Sequence, residues 1–281
     1  MSVVRYVNRY ISTVIDTLRQ VSLGRVWLLF LVNFLIQWGI LVVLDNFMWP
    51  PLYGPVMAFV GLVGDQYATG FSHYPGHFMI LPYVFDWAKL IIGFIIEGPI
   101  LGAAALILYE DHFDSPEEEK TPLRVIFSSW LYLSLAWALM NGLMLLISVY
   151  LPGYFESWMA GSPRRILAYQ FVLLPAVYVA LLSLQFFVIP RIAIFGENVW
   201  QALKRGMLIS LQNPVSTFCL AALVLTGPVI MSFFTGQPGL IVDKFRPELV
   251  YWALVVSLFV EMIANFLWMG TAARFLVEIE E

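Results

Sequence analysis

The chain has 281 residues, of which 60% are hydrophobic and only 12% are charged, and its mean hydropathy is +0.82. A soluble domain of this composition would expose extensive apolar surface, so the composition excludes a soluble fold and predicts a membrane protein. The formal net charge of -4 gives no sign of nucleic-acid binding, which needs a basic surface.

Six long apolar stretches predict the architecture. Each approaches or exceeds the roughly 20 residues that a helix needs to cross a ~30 Å hydrocarbon core. The stretches are continuously apolar rather than alternating, so they indicate helices and not the strands of a membrane barrel. We expect an all-α polytopic membrane protein, a single domain over residues 1–281, with six transmembrane helices and two interfacial amphipathic helices. The six stretches are Val26–Leu44, Trp87–Tyr109, Val125–Leu151, Ile166–Pro190, Val215–Phe234 and Leu249–Gly270.

Residues 1–24 precede the first span and are predicted to form an amphipathic helix. Apolar residues such as Val7, Ile11 and Val14 recur there at helical spacing, with polar residues between them. The pattern predicts a helix that lies in the cytoplasmic interface and turns at Gly24 into the first span. The alternative is a helix packed on the protein's own spans. No small-residue cleavage site follows the first apolar stretch, so we expect that it is not a signal peptide.

Residues 45–85 join the first two predicted spans and contain no Lys or Arg. Because basic residues favour the cytoplasmic side, this stretch is predicted to be a long extracytoplasmic loop. Its apolar run Pro55–Val63 is too short to span, so we expect a re-entrant or interface-lying segment. Loops of this length are uncommon unless they are functional or bound to a partner.

Residues 196–212 form the second amphipathic stretch. Trp200, Leu203 and Met207 are set against Lys204 and Arg205. We expect a cytoplasmic surface helix that links the fourth and fifth spans.

Basic residues at the span ends predict the orientation. With the amino terminus inside, ten Lys and Arg residues flank the spans on the cytoplasmic side and five on the other side. We therefore expect both termini in the cytoplasm and a multi-pass protein of the prokaryotic inner (plasma) membrane. The five residues assigned outside are Lys89, Arg164, Arg165, Lys244 and Arg246.

One segment of the chain resembles a known pattern. The apolar run Phe187–Ala193 contains a Pro-Arg pair and is followed by Gly196-Glu197 and then by Ala202–Gly206. Together these resemble poorly characterised prokaryotic six-helix membrane proteins, which are similar to the membrane domain attached to some glycerophosphodiester phosphodiesterases. That pattern usually carries Ser at the position of Gly206. The resemblance implies a six-helix fold and brings no catalytic residues, and we find no counterpart of the soluble phosphodiesterase domain.

Two carboxylates within predicted spans are the candidate functional residues. Glu97 lies in the second span and Glu261 in the sixth, and Asn265 follows Glu261 by one turn on the same face. An ionised carboxylate in hydrocarbon is costly, so it is normally paired, neutralised or in contact with water. Such a group suits the titrating site of a proton-coupled transporter. The alternative is that each stays protonated and hydrogen-bonds across a helix interface as polar glue.

The sequence predicts no cofactor, no metal site and no catalytic centre. The histidines His73, His77 and His112 are all predicted in loops, so no span offers an axial ligand for haem. The single Cys219 cannot form a disulfide or a thiolate metal site within one chain. Motifs of zinc peptidases, serine hydrolases and phosphate-binding loops are absent.

Two functions remain open. The sequence favours a non-catalytic accessory or scaffold subunit of a larger membrane complex, because few titratable groups lie in the spans. The alternative is a small proton-coupled transporter or permease subunit that uses Glu97 and Glu261. The expected partners are the lipid bilayer and either other membrane-protein subunits or further copies of this chain, and not nucleic acid.

Overall fold

The computed structural model describes residues 3–111 and 122–280, and the expectation for His112 falls outside them. The protein is 90% helical, and no strand occurs among the described residues. A 3₁₀ turn covers Gln20–Ser22, and π-helical turns cover Gly93–Glu97 and Tyr169–Leu173. The α-helices are α1 (Val3–Arg19), α2 (Gly24–Asp45), α3 (Pro50–Val63), α4 (Asp65–Phe71), α5 (Gly76–Ile92), α6 (Gly98–Glu110), α7 (Pro122–Met159), α8 (Pro163–Ala168), α9 (Leu174–Gln185), α10 (Val188–Phe195), α11 (Val199–Gln212), α12 (Pro214–Thr235), α13 (Pro238–Lys244) and α14 (Leu249–Glu280).

Six helical segments of the described chain are long and apolar enough to cross a membrane. Each predicted apolar run lies within one of these helical segments or its immediate helical extension, so the all-α polytopic fold is confirmed. The segments are Gly24–Asp45, Gly76–Glu110, Phe127–Met159, Pro163–Phe195, Pro214–Thr235 and Leu249–Ile279.

Several spans carry a proline or a π-helical turn in their interior. Pro82 lies inside α5 and Pro228 inside α12. Membrane helices tolerate such residues because neighbouring helices and local π adjustments satisfy the freed backbone groups. The π turns interrupt the second and fourth spans, and Glu97 ends the first of them. Single π turns inside helices are frequent at functional sites.

The chain divides into two compact units, a finer division than the single domain expected from the sequence. The first unit comprises Met1–Trp27, Gly93–Leu225 and Asn265–Glu281. The second unit comprises Leu28–Ile92 and Thr226–Ala264.

In the first unit, α6 packs closely on α7 because glycines line the contact. A Cβ built on Gly98 would lie 2.6 Å from the carbonyl oxygen of Leu133, and one on Gly102 would lie 2.7 Å from the Leu133 side chain. The two glycines are four residues apart and so share one face of α6. Small residues at this spacing let membrane helices approach at backbone distance, where van der Waals packing replaces the hydrophobic driving force.

The amino-terminal helix α1 also belongs to the first unit, where it packs through its polar side. Thr13 and Thr17 are fully buried, whereas Ile11, Ile15 and Leu18 are about half exposed. These exposed residues lie at i, i+4 and i+7, and therefore form one apolar stripe. The structure thus shows α1 packed on the protein, which was the alternative interpretation. Its exposed apolar stripe suits a membrane interface, and the interfacial location stays a prediction.

The surface helix α11 also has one buried face and one exposed apolar face. Ala202 and Gly206 are buried against the first unit, whereas Trp200, Leu208 and Leu211 are exposed. Asn198 begins the helix by accepting a hydrogen bond from the backbone N–H of Gln201 at 2.9 Å, which satisfies one free amide of the first turn. The amphipathic helix predicted over 196–212 is thus present, with apolar side chains facing outward.

The second unit has a core built mainly from aromatic and β-branched side chains. Phe47 and Phe71 are buried with ring centroids 4.9 Å apart, and Val60, Phe85 and Val250 pack in the same cluster. The core therefore draws on α2 to α5 and on α14.

The stretch 45–85, predicted to be a loop, is largely helical. It contains α3, α4 and the first ten residues of α5. Proline suits the first turn of a helix, so the Pro50-Pro51 pair starts α3 and does not prevent it. As expected for the run Pro55–Val63, α3 has only 14 residues and is shorter than a span. Its location outside the cytoplasm stays a prediction.

The close packing of α6 on α7 yields a test. We expect Gly98→Ala to lower the free energy of unfolding by about 2 kcal/mol, because its new methyl group would overlap backbone atoms of Leu133. Gly142→Ala on α7 is the matched control, since a Cβ there meets nothing within 4 Å. Unfolding of the purified protein in mixed detergent micelles measures both. Equal stability of the two variants would contradict the packing assigned to α6.

Candidate functional site

An ion pair joins the second and sixth spans within the second unit. Lys89 on α5 places its Nζ 2.5 Å from Oε1 and 2.7 Å from Oε2 of Glu261 on α14. The ammonium group thus donates to both carboxylate oxygens, the strong charge-assisted form of hydrogen bond. Each charge therefore neutralises the other.

The position of Glu261 along α14 places this pair inside the span. Glu261 lies 12 residues after Leu249, where α14 begins, and 13 residues before Arg274, the next charged residue. At 1.5 Å per residue, about 18 Å of helix precedes Glu261, a little more than half of the hydrocarbon thickness. A similar length of α5 precedes Lys89, which lies 13 residues after Gly76.

Lys89, predicted to flank the second span on the outside, lies inside a longer helix. The apolar run begins at Trp87, but α5 begins at Gly76. Lys89 is therefore within a helical segment, where it pairs with Glu261. Its position relative to the membrane, and the orientation of the chain, stay predictions.

The ion pair is only partly buried. The side chains of Lys89 and Glu261 keep 20% and 28% of their exposure. Phe85 covers one side of Lys89, with its ring centroid 5.9 Å from Nζ. Asp86 lies three residues before Lys89, is exposed, and interacts electrostatically with both members of the pair. One cation and two carboxylates therefore form a partly exposed cluster.

Glu97 and Asn265 meet within the first unit. Asn265 donates from Nδ2 to Oε1 of Glu97 across 3.1 Å. The structure therefore brings together two of the three predicted site residues, whereas Glu261 has Lys89 as its partner in the second unit. A carboxyl group bound by a side-chain amide on another helix is the arrangement expected of polar glue.

A second charged cluster lies where the fourth span ends. Arg191 on α10 donates from Nε and Nη2 to the two carboxylate oxygens of Glu197, at 2.9 and 2.5 Å. Arg205 on α11 donates to Oε1 of the same carboxylate at 2.6 Å. The Arg191 guanidinium also lies over the Phe195 ring, 4.8 Å from its centroid. We call Arg191, Glu197 and Arg205 the arginine–glutamate triad.

The triad accounts for the residues of the resemblance stated above. Gly196 adopts a left-handed conformation with φ of 67°, which ends α10 and turns the chain toward Glu197. Gly206 packs beside the Phe187 backbone, where an added Cβ would meet atoms no closer than 3.5 Å, so a small side chain at this position causes no Cβ overlap. Arg191 and Glu197 are both nearly buried, so each charge compensates the other.

The two arginines also shift the acidity of Glu197, which lies outside the spans. Burial by itself raises the pKa of this carboxyl group. The hydrogen bonds and positive charges of Arg191 and Arg205 outweigh burial, so the net pKa lies below the ordinary value of 4.5. Glu197 is therefore an anion at neutral pH.

The histidines do not form a metal site with other ligands in the described part of the chain. His77 lies in α5 rather than in a loop, is buried, and has its ring centroid 3.8 Å from that of Phe78. Its Nε2 is 3.9 Å from Oδ1 of Asp45. Among residues 3–111 and 122–280, no group of three His, Cys, Asp or Glu side chains is arranged to hold a metal ion.

Comparisons with family models, curated proteins and solved structures give no match to this chain. The geometry of its polar clusters is therefore the basis on which we propose a function.

Sequence reasoning missed Lys89 and Asp86. Two signals were present: opposite charges at i and i+3 beside an apolar run, and a carboxylate in the sixth span that needed a cation. Lys89 was assigned to the outside flank of the second span, and Asp86 precedes the predicted apolar run.

The triad yields a prediction on stability and pH. We expect Glu197→Gln to cost about 3 kcal/mol at pH 7, because it leaves the nearly buried Arg191 without its counter-charge. Since the folded-state pKa of Glu197 is depressed, its contribution is present above the unfolded value and is lost as pH falls through the folded value. The variant should therefore lose less stability than the wild type between pH 5 and pH 3, as measured by thermal unfolding in detergent.

Arg205→Gln is the control for this prediction. Its side chain is 62% exposed, so its loss should cost at most about 1 kcal/mol. If Arg205→Gln lowered stability as much as Glu197→Gln, the expectation that the loss of Glu197 costs more would be contradicted.

Proposed function

We propose that this chain is a small proton-coupled transporter or permease component in which Glu261 is the titrating group. The observation that carries the proposal is the partly accessible Lys89–Glu261 pair inside two spans. Ionisable residues at this depth mark ion pathways, proton relays and substrate sites far more often than soluble ion pairs do. Such a protein acts by binding and conformational change and not as an enzyme.

Coupling to protons requires two states of the protein, and Asp86 gives Lys89 a second partner in one of them. When Glu261 accepts a proton, Lys89 keeps its own proton and loses its counter-charge. Asp86 lies one turn away on the same helix and already interacts with Lys89, so it becomes the new partner. Release of the proton restores the Lys89–Glu261 pair. A change of partner by one lysine thus links protonation to a rearrangement of α5 against α14.

The pairing of Glu97 with Asn265 gives this residue a different role. Its hydrogen bond with Asn265 joins it to a neutral amide on another helix, and no change of counter-charge follows from that contact. We therefore propose that Glu97 stabilises the packing of the first unit, and that Glu261 alone carries the proton.

The accessory or scaffold function is the second candidate. It is supported by exposed apolar side chains on the segment between the first two spans, where Met48, Trp49, Tyr53 and Leu62 are 49–87% exposed. Such a surface suits another membrane subunit. If partners cover it, the particle extracted from the native membrane in a mild detergent contains stoichiometric other chains, whereas a transporter that acts alone purifies as a monomer or homo-oligomer.

Proton flux into dye-loaded liposomes tests the role of Glu261. We expect Glu261→Gln and Lys89→Met each to reduce flux to the rate of protein-free liposomes, because either change removes the exchange of partners. Each single variant should also lose about 3 kcal/mol of stability, since it leaves one charge unpaired. Glu97→Gln is the carboxyl control, and we expect it to retain flux.

The double variant Lys89→Met/Glu261→Gln separates function from folding. It removes both charges, so it should regain most of the stability lost in the single variants but none of the flux. Wild-type flux in Glu261→Gln, or recovery of flux in the double variant, would contradict the proposal. The Lys89–Glu261 pair would then be a structural contact.

A further inference from the structure

A cavity of about 570 Å³ opens in the second unit where α14 begins. Three aromatic side chains line it, Tyr74, Phe245 and Trp252, and each is more than half exposed. Two of these aromatic side chains pack against neighbouring rings. Tyr74 makes an edge contact with Phe78 at 6.1 Å, and Trp252 makes one with Tyr251 at 5.4 Å. The walls are thus supported before any ligand arrives.

Two opposite charges line the same cavity. Arg246 and Glu248 flank Pro247, and both charged side chains are exposed. Tyr74 donates a hydrogen bond from its hydroxyl group to Oε1 of Glu248 across 3.4 Å, which holds that carboxylate beside the aromatic walls. Among the ion pairs of the described residues, none includes Arg246. The guanidinium group is therefore available to an anionic ligand.

These groups together match a ligand that carries one positive and one negative charge. A guanidinium group recognises phosphate by paired hydrogen bonds. Aromatic faces with a nearby carboxylate recognise an ammonium group, including its methylated forms. A ligand with only a negative charge would be repelled by Glu248, and one with only a positive charge by Arg246.

The location of the cavity indicates where such a ligand comes from. Trp252 is the fourth residue of α14, and Arg246 and Glu248 immediately precede that span. An exposed Trp at the start of a span is typical of headgroup depth in a bilayer. We propose that this cavity binds the headgroup of a zwitterionic phospholipid, with Arg246 on its phosphate and with Glu248 and the aromatic walls on its ammonium group.

Lipid retention tests this site independently of transport. The protein is placed in nanodiscs of equal parts phosphatidylethanolamine and phosphatidylglycerol with identical acyl chains, and native mass spectrometry counts the lipids it retains. We expect the wild type to retain phosphatidylethanolamine in about tenfold preference, as a charge-assisted hydrogen bond to its ammonium group would give. Glu248→Gln should bring the preference close to one. Arg246→Gln should instead lower the retention of both lipids, because both headgroups carry the phosphate that Arg246 binds.

Lys244→Gln is the matched control, because it removes an exposed cation two residues from Arg246 that does not line the cavity. It should leave the preference unchanged. Loss of preference in this variant as well would overturn the site, as would equal retention of the two lipids by the wild type. A second arm adds soluble phosphoethanolamine, and its displacement of retained lipid at micromolar concentration would overturn the assignment to a lipid headgroup.

Discussion

The absence of water in the hydrocarbon core is the constraint on which this structure depends. Backbone amides in the spans can be satisfied only within their own helices, which is why the described chain is helical almost throughout. Departures from regular helix are repaired locally, as in the π turns of the second and fourth spans. The same constraint removes the hydrophobic drive between helices, so α6 and α7 associate through the close approach that Gly98 and Gly102 allow.

The constraint acts more severely on charges, and the protein pairs them in two places. Lys89 and Glu261 neutralise each other between two candidate spans, with Asp86 as a second carboxylate nearby. At the end of the fourth span, Glu197 receives two arginines and the cluster keeps a net positive charge. That excess is tolerable because the Arg205 side chain is 62% exposed, so solvent or headgroups can screen it.

The existence of the six spans could be predicted because it depends on the length of apolar runs, which is a property of the sequence alone. The helices of residues 45–85 could not be predicted in the same way. Proline, glycine and aromatic residues there favour a loop locally, whereas burial of Phe47 and Phe71 in a shared core favours helices, and that burial depends on residues distant in sequence.

The candidate site was predicted in part for a similar reason. The cost of a carboxylate in hydrocarbon identified Glu97 and Glu261 from the sequence. Their partners depend on which helix faces lie together, and hydropathy carries no information on this. Asn265 was grouped with Glu261 because they share a face of α14, but its hydrogen bond goes to Glu97.

The partial exposure of the Lys89–Glu261 pair supports the role that we propose for it. A pair of well-packed apolar side chains would cost less than two buried charges, so stability alone gives no reason for charges at this position. Both side chains stay partly exposed, and a second carboxylate, Asp86, lies within electrostatic reach. A lysine that changes partners when a proton binds needs both partial exposure and an alternative carboxylate.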